Sequence, residues 1–238
     1  MYEKMFGTNI SKRNKSEEEK NGYIAKQDDL RTVENVSLFT NNAFYTKPVY
    51  KYIGIAFGEN IVMEYEKELY ILNQRAANER IIYEKVRSNY YNETSKDSQL
   101  MLLPDIINLT DKQMGIVEDA FQVFKKAGFD IEEFGDNTIK LNAVPSMCID
   151  LDTKQLFISI LEEINTVART SKEEIEDKFM ATVASKVATK IKLISNEQEA
   201  DNLMQQLLWL PKPFVSPNGT PTAIRISKAE IEKKFSRR

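Results

Sequence analysis

Glu79 and Glu84 are the side chains whose type and spacing first raise the question of chemistry. They lie in the stretch Glu68–Val86, where a short apolar strand, Leu69–Leu72, runs into a helix. Paired carboxylates can serve as general acid and general base. Residues five apart on a helix point to different faces, so these two cannot share one substrate atom. We therefore favour one carboxylate near the positive end of the helix dipole and one in solvent.

Histidine is absent from the 238 residues, and Cys148 is the sole cysteine. This composition excludes Ser–His and Cys–His nucleophile pairs and nearly excludes an ordinary zinc site. Mg²⁺ or Mn²⁺ held by carboxylates alone remains allowed. We expect no cofactor in this chain, and we expect Cys148 to be a small buried hydrophobic residue in a reducing compartment.

The charge balance argues against a strongly basic nucleic-acid surface, because 33 basic residues face 36 acidic ones. Weak contact with DNA phosphate through the lysines and arginines near the C-terminus remains allowed. No apolar run approaches the roughly 18 residues of a membrane span, and the N-terminus has no signal-peptide core. We therefore expect a cytoplasmic protein without membrane contact.

Strands and helices alternate with hairpin signals, which predicts an α+β fold. Residues 1–47 are charged and poor in large apolar residues, so they are predicted to form a disordered linker. Three strands at hairpin spacing precede the helix of Glu79. Gly128 is predicted to end a later helix, and residues 135–137 to turn a hairpin. Capping boxes are predicted to open four helices, at Thr110, Ser171, Ser195 and Ser227.

Three stretches carry longer motifs: LNQRAANERIIYE at 72–84, GFDIEEFGDNTIKLNAVP at 128–145, and SPNGTPT at 216–222 with FSR at 235–237. Together they resemble the C-terminal domain of the MutL family of DNA mismatch repair proteins. The first keeps the spacing of the family's endonuclease motif, Asp-Gln-His-Ala, two residues, Glu, four residues, Glu. The second resembles the hairpin between the two subdomains' helices, and the third resembles Cys-Pro-His-Gly-Arg-Pro-Thr with Phe-x-Arg.

The resemblance implies two subdomains: an antiparallel or mixed sheet packed with helices, and an inserted, smaller α/β regulatory subdomain. The dimerisation subdomain would be discontinuous, formed by 48–90 and 172–238, and the regulatory subdomain would be 91–171. The family's ATPase would lie in an N-terminal part outside this sequence. The implied partners are a second copy or a related subunit, and the mismatch-recognition protein of the pathway, in a nucleoid-associated assembly.

The residues at the family's metal-ligand positions argue against a working nuclease. The resemblance puts the ligands of nicking members on six positions, of which only Glu79 keeps a ligand type. Ser hydroxyl and Asn amide bind such metals poorly, and a guanidinium offers no lone pair. We predict that Arg75 pairs with Glu79 in place of the metal's charge; an ordinary exposed i,i+4 ion pair is the alternative. A Mg²⁺- or Mn²⁺-dependent nicking enzyme is the competing hypothesis. The six positions are Asn73, Arg75, Glu79, Thr182, Ser216 and Asn218.

The segment QLMLLP, residues 99–104, is similar to the short motif by which family members contact the DNA polymerase sliding clamp. In that interpretation Gln99 fills a polar pocket, while Leu102 and Pro104 fill an apolar one. The alternative is a buried strand of the regulatory subdomain.

Overall fold

The protein is represented by a computed structural model, which describes residues 48–92, 97–167 and 170–236. The predicted linker 1–47 and the end of the FSR motif lie outside these residues. None of the helices in the described ranges combines the length and apolarity that crossing a bilayer requires. The strands are β1 Tyr50–Ala56, β2 Asn60–Tyr65, β3 Glu68–Asn73, β4 Ser98–Asn108, β5 Asp130–Glu133, β6 Thr138–Pro145 and β7 Ala223–Ile226. The helices are α1 Gln74–Tyr91, α2 Asp111–Ala127, α3 Thr153–Val167, α4 Lys172–Lys190, α5 Glu197–Leu208 and α6 Lys228–Phe235, with a short 3₁₀ turn at Ser146–Cys148.

The first sheet is antiparallel and has the strand order β1-β2-β3-β7. The predicted three-strand meander is confirmed, and β7 joins it from the far end of the chain. The tight turn between β2 and β3 places Glu66 and Lys67 at positive φ, the left-handed conformation that such two-residue hairpin turns need. Strand β3 passes directly into α1, so the start of that helix is fixed to the end of an inner strand.

One face of this sheet packs against α5 and forms a core. Ile61, Met63, Tyr70 and Leu72 alternate along β2 and β3 and are buried, as the two-residue period of a strand requires. The side chains between them point to the opposite face, where Val62 and Ile71 are half-buried and Ile224 on β7 is exposed. One row of that outer face is apolar: Val62, Ile71 and Ile224 are paired across β2, β3 and β7. The next row pairs Leu69 and Ile226 with the charged Glu64.

The second sheet is antiparallel with the order β4-β6-β5. The hairpin predicted at residues 135–137 is confirmed, with Asn137 at positive φ. Strand β4 is irregular: Leu100 pairs with Ala143, whereas Asp105 pairs with Leu141. Residues 101–104 therefore lie opposite a single residue of β6, and they bulge out of the edge of the sheet.

A second core lies among this sheet and helices α1–α4. Phe124, Phe129, Phe157 and Phe179 form an aromatic cluster with ring centroids 4.8–6.5 Å apart. Cys148 is fully buried beside it, as predicted, and burial raises the pKa of its thiol to about 12. Helix α1 contributes to both cores, with Ile81 in the first and Val86 in the second, so it links the two sheets.

Helix starts follow local sequence, with one exception. The capping boxes at Thr110 and Ser227 are complete, and Gly128 adopts the predicted left-handed conformation. Ser171 caps α4 by accepting from the N–H of Glu174. The capping box predicted at Ser195 is wrong: α5 begins one residue later, where the side chain of Asn196 accepts from the N–H of Glu199. Asn and Ser are comparable N-cap residues, so adjacent candidates compete and propensity does not separate them.

Candidate functional site at the start of helix α1

The N-terminus of α1 is held by hydrogen bonds from three directions. The side chain of Asn73 caps the helix by accepting from the N–H of Ala76 at 3.0 Å. The Asn73 N–H donates to the carbonyl of Thr222 at 2.8 Å, and the Gln74 N–H donates to that of Glu59 at 3.3 Å. Asn73 therefore has a structural role at a position where the resemblance implies a ligand.

The loop of the SPNGTPT motif is shaped by its own hydrogen bonds. The backbone N–H of Ser216 donates to the carbonyl of Thr220 at 2.8 Å, and its hydroxyl accepts from the N–H of Thr220 at 3.2 Å. Gly219 closes the turn at a φ of 81°, a conformation that glycine adopts without strain. Ser216 is buried, and the loop projects Asn218 toward α1.

Asn218 and Glu79 meet although they are 139 residues apart in sequence. The Asn218 amide donates to Oε1 of Glu79 at 2.6 Å. Partial burial raises the pKa of the Glu79 carboxyl above its usual value, and the hydrogen bond from Asn218 opposes that rise. The structure therefore brings together the first and third motifs, as a shared site requires.

Replacing Asn218 by Ala is expected to raise the pKa of Glu79 further, because the donor that favours the ionised carboxylate is lost while the burial remains. Since the folded-state pKa is already above the unfolded one, Glu79 favours the folded state more when it is protonated, and this contribution fades as the pH rises through its pKa. Titration of the Glu79 side-chain carbon by NMR measures the shift. A pKa unchanged in the variant would contradict the hydrogen bond.

The predicted pair of Arg75 and Glu79 does not form within the described residues. Arg75 is exposed, and no carboxylate there lies within 4.0 Å of its guanidinium. Arg75 is at the second residue of α1, where it faces solvent, while Asn218 occupies the space beside Glu79. A neutral amide is the group beside Glu79, so the idea that Arg75 replaces the charge of a metal is wrong for this conformation.

Glu84 is not solvated, contrary to expectation. Its carboxylate pairs with Arg80 one helical turn earlier, and both side chains are largely buried. Arg80 also lies over the ring of Tyr83 at 5.3 Å, and the hydroxyl of Tyr83 donates to Asp177 on α4. Glu84 thus belongs to a structural network between α1 and α4, on a different face from Glu79 as predicted.

Thr182 does not join the site through a hydrogen bond. It is buried on α4, and its hydroxyl donates to the carbonyl of Lys178 one turn earlier, at 2.8 Å. Among the described residues, no group of three or more His, Cys, Asp or Glu side chains could hold a metal ion together.

Gln74 is a site residue whose role the sequence did not reveal. Its side chain is fully buried, its Nε2 donates to the carbonyl of Ile194 at 3.0 Å, and its Oε1 accepts from the Ile194 N–H at 2.6 Å. The amide thereby satisfies both backbone groups of one residue in the segment between α4 and α5. The sequence signal was weak: an amide at the first turn of a predicted helix, with no partner nearby in the chain.

The segment 99–104 is exposed, so the alternative of a buried strand is wrong. Leu102 is fully exposed, Leu103 nearly so, and Gln99 and Pro104 are also exposed. Met101 alone packs against the second core. The sequence did not reveal this inward residue, because the unbroken apolar run LMLLP at 100–104 does not show which side chain points inward.

Two antiparallel sheets linked by one helix, with an apolar outer face on the first sheet and an apolar bulge on the second, define an α+β interaction domain. Residues 53–193 match the family model of the MutL C-terminal dimerisation domain. The chain therefore belongs to the MutL family.

Curated relatives agree with this assignment. The chain is 32% identical over 218 residues to the DNA mismatch repair protein MutL of Clostridium botulinum strain Loch Maree, covering 90% of this chain and 32% of that protein. The MutL proteins of Clostridium acetobutylicum and Clostridium tetani are 34% and 33% identical, over 80% and 92% of this chain and 30% and 36% of their own lengths. The chain thus spans about a third of the length of these relatives.

Proposed function

We propose that this chain is the dimerisation and partner-docking part of a mismatch repair protein, and that it does not cut DNA. The observation that carries the proposal is the contact between Asn218 and Glu79. The two motifs that surround a metal in nicking family members are adjacent here, and the groups that meet are an amide and a carboxylate. The Asn218 amide offers only its carbonyl oxygen as a ligand atom, which is a poor donor for the metals that thiolate and imidazole bind.

Two experiments test whether this chain has lost the metal ligands of nicking family members. The first measures nicking of supercoiled plasmid with Mn²⁺ or Mg²⁺, and the second measures metal binding by calorimetric titration with Mn²⁺ and Zn²⁺. We expect no nicking above background and no micromolar binding. A variant that restores the family's ligand types should gain Zn²⁺ binding, since thiolate and imidazole are its preferred donors. That variant carries Asn73→Asp, Arg75→His, Thr182→Cys, Ser216→Cys and Asn218→His. Nicking by the unmodified chain that Glu79→Ala abolishes would establish the competing nickase instead.

The outer face of the first sheet is the surface that we assign to dimerisation. Val62, Ile71 and Ile224 form an apolar row, and Ile224 is 63% exposed although it lies on a strand. Ile53, which bulges from β1, extends the row. Exposed apolar side chains in a row on a sheet are typical of a surface that another protein covers. A second copy of the same sheet would cover this row, through a self-complementary interface.

We assign a further role to the bulge of β4 as the contact for the DNA polymerase sliding clamp. Its exposed leucines protrude from the edge of the sheet, and the fully exposed Leu102 is free to enter an apolar pocket of a partner. Met101 is the one side chain of residues 99–104 that packs inward, so it fixes how the exposed ones are presented. The Asp105 carboxylate anchors the end of the bulge by accepting from Thr153 and pairing with Lys154 at 3.6 Å.

Leu102→Ala is expected to weaken binding to purified sliding clamp by about tenfold or more, because a buried anchor side chain in an interface contributes at least ~1.4 kcal/mol. Met101→Ala should weaken it by a smaller factor, through looser presentation of the bulge. Surface plasmon resonance measures both. Leu100→Ala is the matched control, since Leu100 is exposed but lies outside the proposed contact set. Equal affinities for the Leu100 and Leu102 variants would remove the clamp assignment.

The division into a dimerisation subdomain, 48–90 with 172–238, and a regulatory subdomain, 91–171, is part of the same proposal. The core around the first sheet lies wholly within the proposed dimerisation subdomain. The core around the second sheet joins residues of the regulatory subdomain to α1 and α4 of the dimerisation subdomain, so the two would share a packed core. We also propose that this chain docks the mismatch-recognition protein and makes weak contact with DNA. These two proposals depend only on the membership of the chain in the MutL family.

A further inference from the structure

The second sheet has a free edge at β5. This strand pairs with β6, and in the described residues with no other strand. The Phe134 N–H donates to the carbonyl of Thr138, which fixes the order of hydrogen-bonded pairs in the hairpin. Because such pairs alternate along an antiparallel ladder, Ile131 and Glu133 direct their N–H and C=O groups away from β6. Two donors and two acceptors therefore face outward, ready to pair with another extended segment.

A groove lies between this edge strand and the flank of α2. Its lining consists of Phe121, Lys125, Phe129, Asp130 and Ile131. Phe121 is 38% exposed, because the core-facing side of α2 is made by other residues. The groove has a volume of about 80 Å³, which is on the scale of one aliphatic side chain. A strand added to β5 would place alternate side chains over this flank.

The edge strand and the turn after it are acidic, and the cation that lines the groove, Lys125, comes from α2. Residues 130–136 carry four carboxylates and no cation. Glu132 pairs with Lys140 at 3.1 Å, whereas Asp130 and Glu133 have no ion-pair partner among the described residues. The edge is therefore electrostatically complementary to an extended segment that alternates apolar and basic side chains.

We propose that β5 binds an extended, basic and apolar segment of a partner protein by strand addition. The partner's backbone pairs with Ile131 and Glu133, one apolar side chain enters the groove against Phe121, and lysine or arginine side chains lie beside Asp130 and Glu133. In this binding mode the backbone supplies affinity, while the groove and the charges supply specificity. The site is separate from the outer face of the first sheet and from the β4 bulge, so it adds a docking surface to those proposed above.

The probe is a synthetic peptide, Lys-Val-Lys-Leu-Lys-Val-Lys with blocked ends, titrated into the isotopically labelled chain and followed by NMR. We expect saturable shifts of the Ile131 and Glu133 amides. Glu133→Pro should weaken binding about tenfold, since it removes one outward donor and leaves the bonds between β5 and β6 intact. Glu133→Ala is the matched control: it loses the charge but keeps the donor, and it should retain most of the affinity.

A control peptide with Glu in place of each Lys distinguishes strand addition from nonspecific apolar binding. We expect that it does not bind. Three results would overturn the proposal: equal affinity of the proline and alanine variants, equal binding of the control peptide, or no shift at millimolar peptide. In the last case, association of the Glu133→Ala variant beyond the dimer, measured by light scattering, would show that the carboxylates serve only to prevent pairing of β5 with other copies of the chain.

Discussion

Replacing Ile224 by Asp is expected to raise the dissociation constant of the dimer about a thousandfold. Ile224 lies at the exposed end of the apolar row that runs through Ile71 and Val62. In a two-fold interface each substitution occurs twice, so a cost of about 2 kcal/mol per copy, typical of a central contact, doubles to about 4 kcal/mol. Sedimentation equilibrium or light scattering over a range of concentrations measures the shift.

Ile106→Asp is the matched control, because Ile106 is 48% exposed on the outer side of the other sheet, away from the proposed interface. We expect this variant to dimerise like the unmodified chain. Since Ile224 is already exposed in the single chain, Asp should leave the fold intact, and circular dichroism checks this. A dimer that survives Ile224→Asp but is lost with Ile106→Asp would move the interface to the second sheet.

Replacing Gln74 by Leu is expected to lower the free energy of unfolding by about 2–4 kcal/mol. Leucine fills much of the same volume but leaves the N–H and the C=O of Ile194 without their partner. An orphaned buried polar group costs roughly 1–3 kcal/mol, and here two are orphaned together. Urea denaturation followed by circular dichroism gives the difference.

The control for this experiment is Gln122→Leu, because Gln122 is exposed on α2 and its loss should change stability by less than about 0.5 kcal/mol. Gln74→Leu is expected to remain dimeric, since the substitution touches neither the outer face of the sheet nor β7. Equal unfolding free energies for the two variants would show that water satisfies the Ile194 groups, and that the Gln74 side chain is not their essential partner.

The elements near the site could be predicted well because their signals are local. The helix that follows β3 and the capping boxes at Thr110 and Ser227 each depend on hydrogen bonds that span three or four residues. Register and exposure could not be predicted in the same way. The run at 100–104 is apolar throughout, so only the bulge opposite β6 decides that Met101 points inward and Leu102 outward.

The sequence by itself determined what chemistry this protein lacks: with no histidine and one buried cysteine, the soft donors of a zinc site are missing whatever the fold. It also determined the passage from strand β3 into α1, because the apolar run 69–72 and the helical spacing after it are local signals. Only the tertiary structure decided which groups meet there. Glu79 faces Asn218 rather than Arg75, and Gln74 binds Ile194. These contacts join residues 139 and 120 positions apart, so they depend on how whole helices and strands pack, and no periodic pattern in the sequence indicates them.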